Sequence, residues 1–295
     1  MVFINEEGKF NDNSYLLDGF IFRLPKQLGI YVIENNGVRM MLDTGVPLAA
    51  RKVMKKLKEL GLFPIQKMLL THSHWDHVQG YSKIKKMNGE EFEVLASENA
   101  IENLRNANEV NKVYNYEVES ITDDVTPLKD GDIVDLNGLE LEVINLFGHT
   151  MDSVGIIDRK NKNIFTGDAI FSRIDENTYQ PIIMPPFFNE SELLNTYEKL
   201  RGMKEELNSI CLNHFGVWTN EHFERIIDEM EPLYLETKEA LLKWYSENPS
   251  LEYIVEKFHE KFIPNSTIHT KENIKGFELI FEWVFDGLKV AGIIS

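Results

Sequence analysis

Apolar and polar residues alternate in short blocks over the first third of the chain. Residues 13–17, 29–34 and 38–42 are brief and rich in Ile, Val, Tyr and Met. This pattern predicts strands. Asn35-Asn36-Gly37 between the last two is a hairpin turn signal, because Asn and Gly tolerate positive φ. The period then changes. In residues 47–60 the apolar positions Val53, Met54, Leu57 and Leu60 recur three and four apart, which predicts a helix ended by Gly61. Residues 68–70 form a short buried strand, and helix alternates with strand as far as Asp130. Residues 139–146, 153–157, 163–166 and 209–212 read as further strands, and 190–203 as an amphipathic helix.

From about Trp218 the pattern becomes helical throughout. Residues 221–230 and 233–245 are predicted as two helices separated by Pro232, since proline breaks the i→i−4 ladder. Ser250 is a plausible N-cap for residues 251–262. Phe277, Ile280, Phe281, Val284 and Leu288 mark the core stripe of a last helix. The chain therefore divides into residues 1–218, strand-rich, and 219–295, helical.

One run between these elements changes the picture. Directly after the apolar residues Met68-Leu69-Leu70 comes Thr71-His72-Ser73-His74-Trp75-Asp76-His77. Neutral imidazoles with carboxylates are the ligand set that divalent transition metals prefer, zinc above all. Three more candidates sit at strand ends beside glycines: His149 after Gly148, Asp168 after Gly167, and His214 two residues before Gly216. Glycine lets the backbone turn sharply and approach closely. Ligands at strand ends are held by a rigid sheet yet face a cleft, as a catalytic metal site requires. Five of the eight histidines fall in this pattern. His222, His259 and His269 lie in the helical part and read as structural or solvent-facing.

Composition sets outer bounds. Of 295 residues 43% are hydrophobic and 11% aromatic, enough for a sizeable core. A formal charge of -17 argues against nucleic acid as a partner, because neutralising phosphates needs an excess of Lys and Arg. No basic stretch followed by an apolar run opens the chain, and nothing approaches eighteen uninterrupted apolar residues. Neither a signal peptide nor a membrane span is expected. The only cysteine, Cys211, reads as a small buried strand residue and suits a reducing, cytoplasmic setting.

Taken together, Asp43 in Leu-Asp-Thr-Gly, the Thr71–His77 run, His149, Asp168 and His214 resemble, in order, the motifs of the metallo-β-lactamase-fold hydrolase superfamily, glyoxalase II-like members included, over residues of about 11 to 217. The resemblance implies an α/β (α+β) four-layer αββα sandwich with metals at one edge, between the two sheets. It implies two divalent ions, zinc first, with manganese or iron as alternatives. His72, His74 and His149 would bind one; Asp76, His77 and His214 the other; Asp168 would bridge them. Asp43 would orient the loop without being a ligand. Two metals about 3.5–4 Å apart can share a water and lower its pKa from about 15.7 to about 7. The resulting hydroxide is the expected nucleophile, with Asp76 as the catalytic group that passes its proton to the leaving group.

Details narrow the family. Secreted β-lactamases of this fold usually carry Cys where Asp168 stands, and flavodiiron oxidoreductases usually carry Glu at the position of His74. The sequence thus favours hydrolysis of a small ester, thioester or lactone. Alternatives on the same motifs are a phosphodiesterase or nuclease, and a mononuclear iron persulfide-type dioxygenase. The basic residues with which glyoxalase II holds glutathione have no assignable counterpart. Trp75, inside the motif, and Tyr179, Met184, Phe187 and Phe188, in an irregular Pro-containing stretch, are candidates to line the substrate cleft. The C-terminal helices are expected to cover that cleft or to form a homodimer contact.

Overall fold

The computed structural model describes residues 3–114 and 116–294. Two sheets pack face to face. One runs in chain order: Gly8–Lys9, Ser14–Asp18, Gly29–Asn35, Val38–Leu42, Lys67–Leu70, Glu93–Ser97 and Val125–Leu128. Its first four strands pair antiparallel and its last three join in parallel. The other is ordered Phe3–Ile4, Val217–Thr219, Ser209–Cys211, Asn163–Phe165, Val154–Asp158, Glu140–Asn145 and Ile133–Asp135. A separate hairpin, Ser172–Asp175 with Thr178–Gln180, was not visible in the sequence pattern.

Strand periodicity builds two cores from single apolar runs. Leu16, Tyr31, Ile33, Met40, Leu42 and Leu69 face the opposite sheet, where they meet Val143, Ile156, Phe165 and Cys211. Their neighbours Leu17, Ile30, Val32, Met41, Met68 and Leu70 point outward and are covered by helices. Successive side chains of a strand point to opposite faces, so a strand buried on both reads as continuous apolar sequence. Helix Ala50–Glu59 lays Val53, Met54 and Leu57 on one outer face, while helix Glu190–Gly202 lays Leu193, Tyr197 and Leu200 on the other. The result is the expected αββα sandwich.

Two expectations change. Pro232 does not separate two helices; one helix spans Glu221–Glu247 through it. Ile226, Ile227 and Met230 before the proline and Tyr234 and Leu241 after it are all buried, and their packing outweighs one missing backbone bond. The strand-rich part also ends slightly later than Trp218, because Val217–Thr219 pairs with Ser209–Cys211 and with Phe3–Ile4. Ser250 does stand at the N-cap of helix Leu251–Phe262, but its side chain makes no capping bond. Cys211 is buried, as expected.

The helices after Thr219 share their core with the sandwich. Phe223, Met230, Leu241, Phe258, Phe281 and Leu288 belong to the same apolar cluster as the outer sheet faces. Helix Glu278–Val290 approaches the segment around Ile183 and Met184 closely. A Cβ on Gly287 would stand 2.8 Å from the Ile183 carbonyl oxygen. Among the described residues no helix is long and apolar enough to cross a membrane.

Candidate metal centre

Four strand ends converge at one edge of the sandwich. Lys67–Leu70 delivers His72 and His74, and the one-turn helix Trp75–Val78 that follows carries Asp76 and His77. His149 follows strand Glu140–Asn145, Asp168 follows Asn163–Phe165, and His214 follows Ser209–Cys211. Gly148 has φ of +129°, and a Cβ there would lie 2.3 Å from the Leu193 Cα, so only glycine lets the His149 turn pass this closely over helix Glu190–Gly202.

The seven side chains form overlapping clusters. His72, His74 and His149 bring ligand atoms within 4.8 Å of one another, and so do His72, His77 and Asp168, and also Asp76, His77 and His214. His149 Nε2 and His74 Nδ1 are 2.9 Å apart. Oδ2 of Asp168 lies 3.0 Å from His214 Nε2, 3.3 Å from His77 Nε2 and 3.7 Å from His149 Nε2. It therefore reaches both outer groups. Oδ2 of Asp76 is 3.5 Å from His214 Nε2 and 3.6 Å from His77 Nε2.

Bonds on the far side of the rings fix their orientation. His149 Nδ1 meets the Ile182 carbonyl at 2.8 Å, and His214 Nδ1 meets the Gln27 carbonyl at 2.9 Å. His77 Nδ1 meets Asp43 Oδ2 at 2.8 Å. A carbonyl or carboxylate at Nδ1 keeps a proton there and turns Nε2 toward the cluster. Asp43 is itself held by the Thr71 N–H at 2.7 Å and the Thr71 hydroxyl at 2.8 Å, both donating to it. Nε2 of His72, His74 and His77 and Oδ1 of Asp168 are buried with no hydrogen-bond partner. Buried polar atoms without partners are costly, and such a cluster needs a cation or water to satisfy it. Imidazoles with flanking carboxylates suit a pair of divalent transition metals, so the residues fit the group.

The electrostatics agree. Burial, reinforced by neighbouring imidazoles, holds His72 and His74 well below the usual histidine range. Burial also lowers His149, against the opposing pull of Asp168. These rings are neutral, the state a ligand requires. At His77 and His214 burial is outweighed by carboxylates. Asp168, Asp76 and Asp43 push His77 well up, and Asp168 with Asp76 raises His214 to about 9. Burial would raise Asp168, but His214 and His77 hold it well below the carboxylate range. The site thus concentrates negative charge around these Nε2 atoms, a field that also attracts metal cations.

A cavity opens onto these groups, lined by His74, Asp76, His149, Asp168 and His214. Trp75 lines it too and stacks on Tyr116 with ring centroids 4.1 Å apart. Met184 lines it, but Tyr179, Phe187 and Phe188 do not. Tyr179 is buried instead against Phe258, its hydroxyl 3.0 Å from that of Thr237, and Phe188 faces Tyr234. The C-terminal helices supply apolar partners that draw these rings away from the cleft. Phe22, Tyr114 and Trp283 also line the cavity, with no signal in the sequence to mark them. None lies in a motif, and only the three-dimensional packing brings them there.

The sequence profile of the Metallo-beta-lactamase superfamily matches residues 29–211. A hydroxyacylglutathione hydrolase, GloC, from Haemophilus influenzae is 29% identical over 133 residues, which covers 41% of this chain and 57% of that protein. The human acyl-coenzyme A thioesterase MBLAC2 is 22% identical over 234 residues, 70% of this chain and 80% of that one. A solved metallo-beta-lactamase family protein from Thermus thermophilus superposes with a TM-score of 0.64 at 17% identity, covering 97% of this chain and 96% of its own. That last match extends the shared fold through the C-terminal helices. By its profile match, with a fold that agrees, this chain belongs to the Metallo-beta-lactamase superfamily.

Proposed function

We propose that this protein hydrolyses an ester, thioester or lactone of a small, largely apolar acyl compound, with the strand-rich part carrying the site and the helices after Thr219 closing it. One observation carries the reading. The cavity beside the His and Asp clusters is walled by Trp75, Tyr114, Ile182, Met184 and Trp283, and among the described residues no Lys or Arg lines it. An uncharged acyl group matches such walls, whereas a phosphodiester or a glutathione carboxylate would want a cationic partner. The resemblance to an acyl-coenzyme A thioesterase and a hydroxyacylglutathione hydrolase supports the same class.

His72, His74 and His149 would hold one divalent ion and Asp76, His77 and His214 a second, with Asp168 between them. Zinc fits the nitrogen-rich set best, with manganese and iron next. Bound ions supply an activated water at neutral pH and polarise a carbonyl oxygen. The protein's own groups do the rest. Asp43, fully buried, keeps the His77 proton on Nδ1. Asp76 faces the cavity and is positioned to accept a proton from water and return it to the leaving oxygen or sulfur. Trp75 and Tyr114 exclude bulk water and orient the acyl group.

The test combines metal analysis with a screen of ester, thioester, lactone and phosphodiester substrates. About two zinc or manganese ions per chain with turnover of an acyl substrate support the reading. One iron per chain with oxygen consumption on a persulfide, or turnover confined to phosphodiesters, would overturn it.

A further inference from the structure

We propose that the cavity is a pocket for a straight apolar acyl chain, and that helix Glu278–Val290 forms its closed end, with Trp283 as the gauge of chain length. The inference rests on the acyl-hydrolase reading above and adds a substrate subclass to it. Beside the clustered ligand-type side chains the cavity lining is mostly apolar and aromatic, with Gln27, Ser172 and Gln180 as its other polar members. Tyr114 stands edge-on to His74 with ring centroids 5.4 Å apart, and Trp283 stands edge-on to Tyr114 at 4.9 Å. Tyr114 and Trp283 are buried, 6% and 7% exposed, whereas Phe22, also a lining residue, is 47% exposed and stands at the surface.

The Tyr114 hydroxyl does not present a polar spot to a ligand, because it donates to the Pro185 carbonyl. Tyr114 therefore offers the cavity its ring rather than its hydroxyl. The helix end of the cavity is also stiff. Gly287 brings the helix backbone against Ile183 and Met184, and the neighbouring Ile182 carbonyl is the acceptor that orients His149. The same short segment thus fixes both the ring beside the reacting carbonyl and the floor that the far end of the chain would reach. A rigid floor imposes a length limit, since a methylene beyond it forces overpacking. Ile280, one turn before Trp283, lines the same wall and is partly exposed.

The zinc-loaded protein is titrated calorimetrically with straight-chain carboxylates from acetate to dodecanoate. Affinity should rise about fourfold per methylene and then stop at a defined length. Trp283→Val should move that stop to chains at least two carbons longer, and Ile280→Trp should move it to shorter ones. The two variants act in opposite directions, so a loss of folding in one, checked by circular dichroism, leaves the other decisive. An unchanged stop in the folded variants, or no dependence on length, overturns the proposal. The same ladder is then offered as p-nitrophenyl esters and acyl thioesters. If the binding stop moves but no ester or thioester is cleaved, the hydrolytic reading falls and the chain pocket stands.

Discussion

Oδ2 of Asp43 lies 2.8 Å from Nδ1 of His77, and both side chains are fully buried. Asp43 sits at φ of +62°, a left-handed conformation that Asp and Asn tolerate better than most residues. Asp43→Asn should therefore keep the backbone turn while removing the charge that orients His77. Loss of such an outer partner typically costs about 10–100-fold in metal affinity. Chelator competition for zinc should show a loss in this range with an unchanged circular dichroism spectrum. Wild-type affinity in the variant would remove Asp43 from the site.

The polar half of the site was legible in the sequence because its residues are local to strand ends. His72, His74, Asp76 and His77 fall within six positions, and a strand that stops beside a glycine marks each of the other three. The sandwich was legible for a related reason: strands such as Gly29–Asn35 are buried on both faces and read as apolar runs. The apolar half of the site was not legible. Trp283 and His74 are brought together only by the docking of the last helix, and helical spacing alone marks Trp283 as no different from its core neighbours. Tyr179 and Phe188 were misplaced for the same reason, since their partners Phe258 and Tyr234 lie far along the chain. Pro232 shows the local rule losing to packing on both sides of it.

Gly287→Ala pits two local effects against each other. Helix propensity alone favours alanine by about 1 kcal/mol. The new Cβ, however, would stand 2.8 Å from the Ile183 carbonyl oxygen and 3.0 Å from the Met184 nitrogen, both backbone atoms that cannot swing aside. Overpacking of this kind costs about 1–3 kcal/mol. Contact should win, and urea unfolding should show a net loss on the order of 1 kcal/mol. A stabilised variant would mean that the last helix can move away from the cavity at little cost.

His269 predicts how stability depends on acid. Its ring lies 4.0 Å from that of Phe277 and titrates at about 4, below its ordinary 6.5. Burial is the main cause; Asp175 opposes it and His259 adds to it. Between pH 6.5 and 4 the unfolded chain takes up a proton that the folded chain refuses, so this residue's contribution falls as pH falls through that window and is flat above it. Discounted for partial exposure, the loss is on the order of 2 kcal/mol. His269→Gln should flatten the slope of unfolding free energy by that amount between pH 7 and 4.5. Parallel curves for the two proteins would show that the ring is freely protonated in the fold.

Pro232 lies inside helix Glu221–Glu247 and its side chain is exposed. Proline there cannot donate to the Asp228 carbonyl, and its ring crowds that oxygen, at a cost of about 3 kcal/mol in a helix interior. Alanine would restore the bond and would open no cavity, because the ring packs against solvent. Part of the gain is offset, since proline also stiffens the unfolded chain by about 0.4–1 kcal/mol. Pro232→Ala should therefore raise the unfolding free energy by about 2 kcal/mol, read from urea titration with an unchanged denaturant slope. Turnover and metal content should stay as in the wild type, because Pro232 is not among the cavity's lining residues. A destabilised variant would mean that the buried residues on either side, Met230 and Tyr234, depend on the bend that the ring imposes.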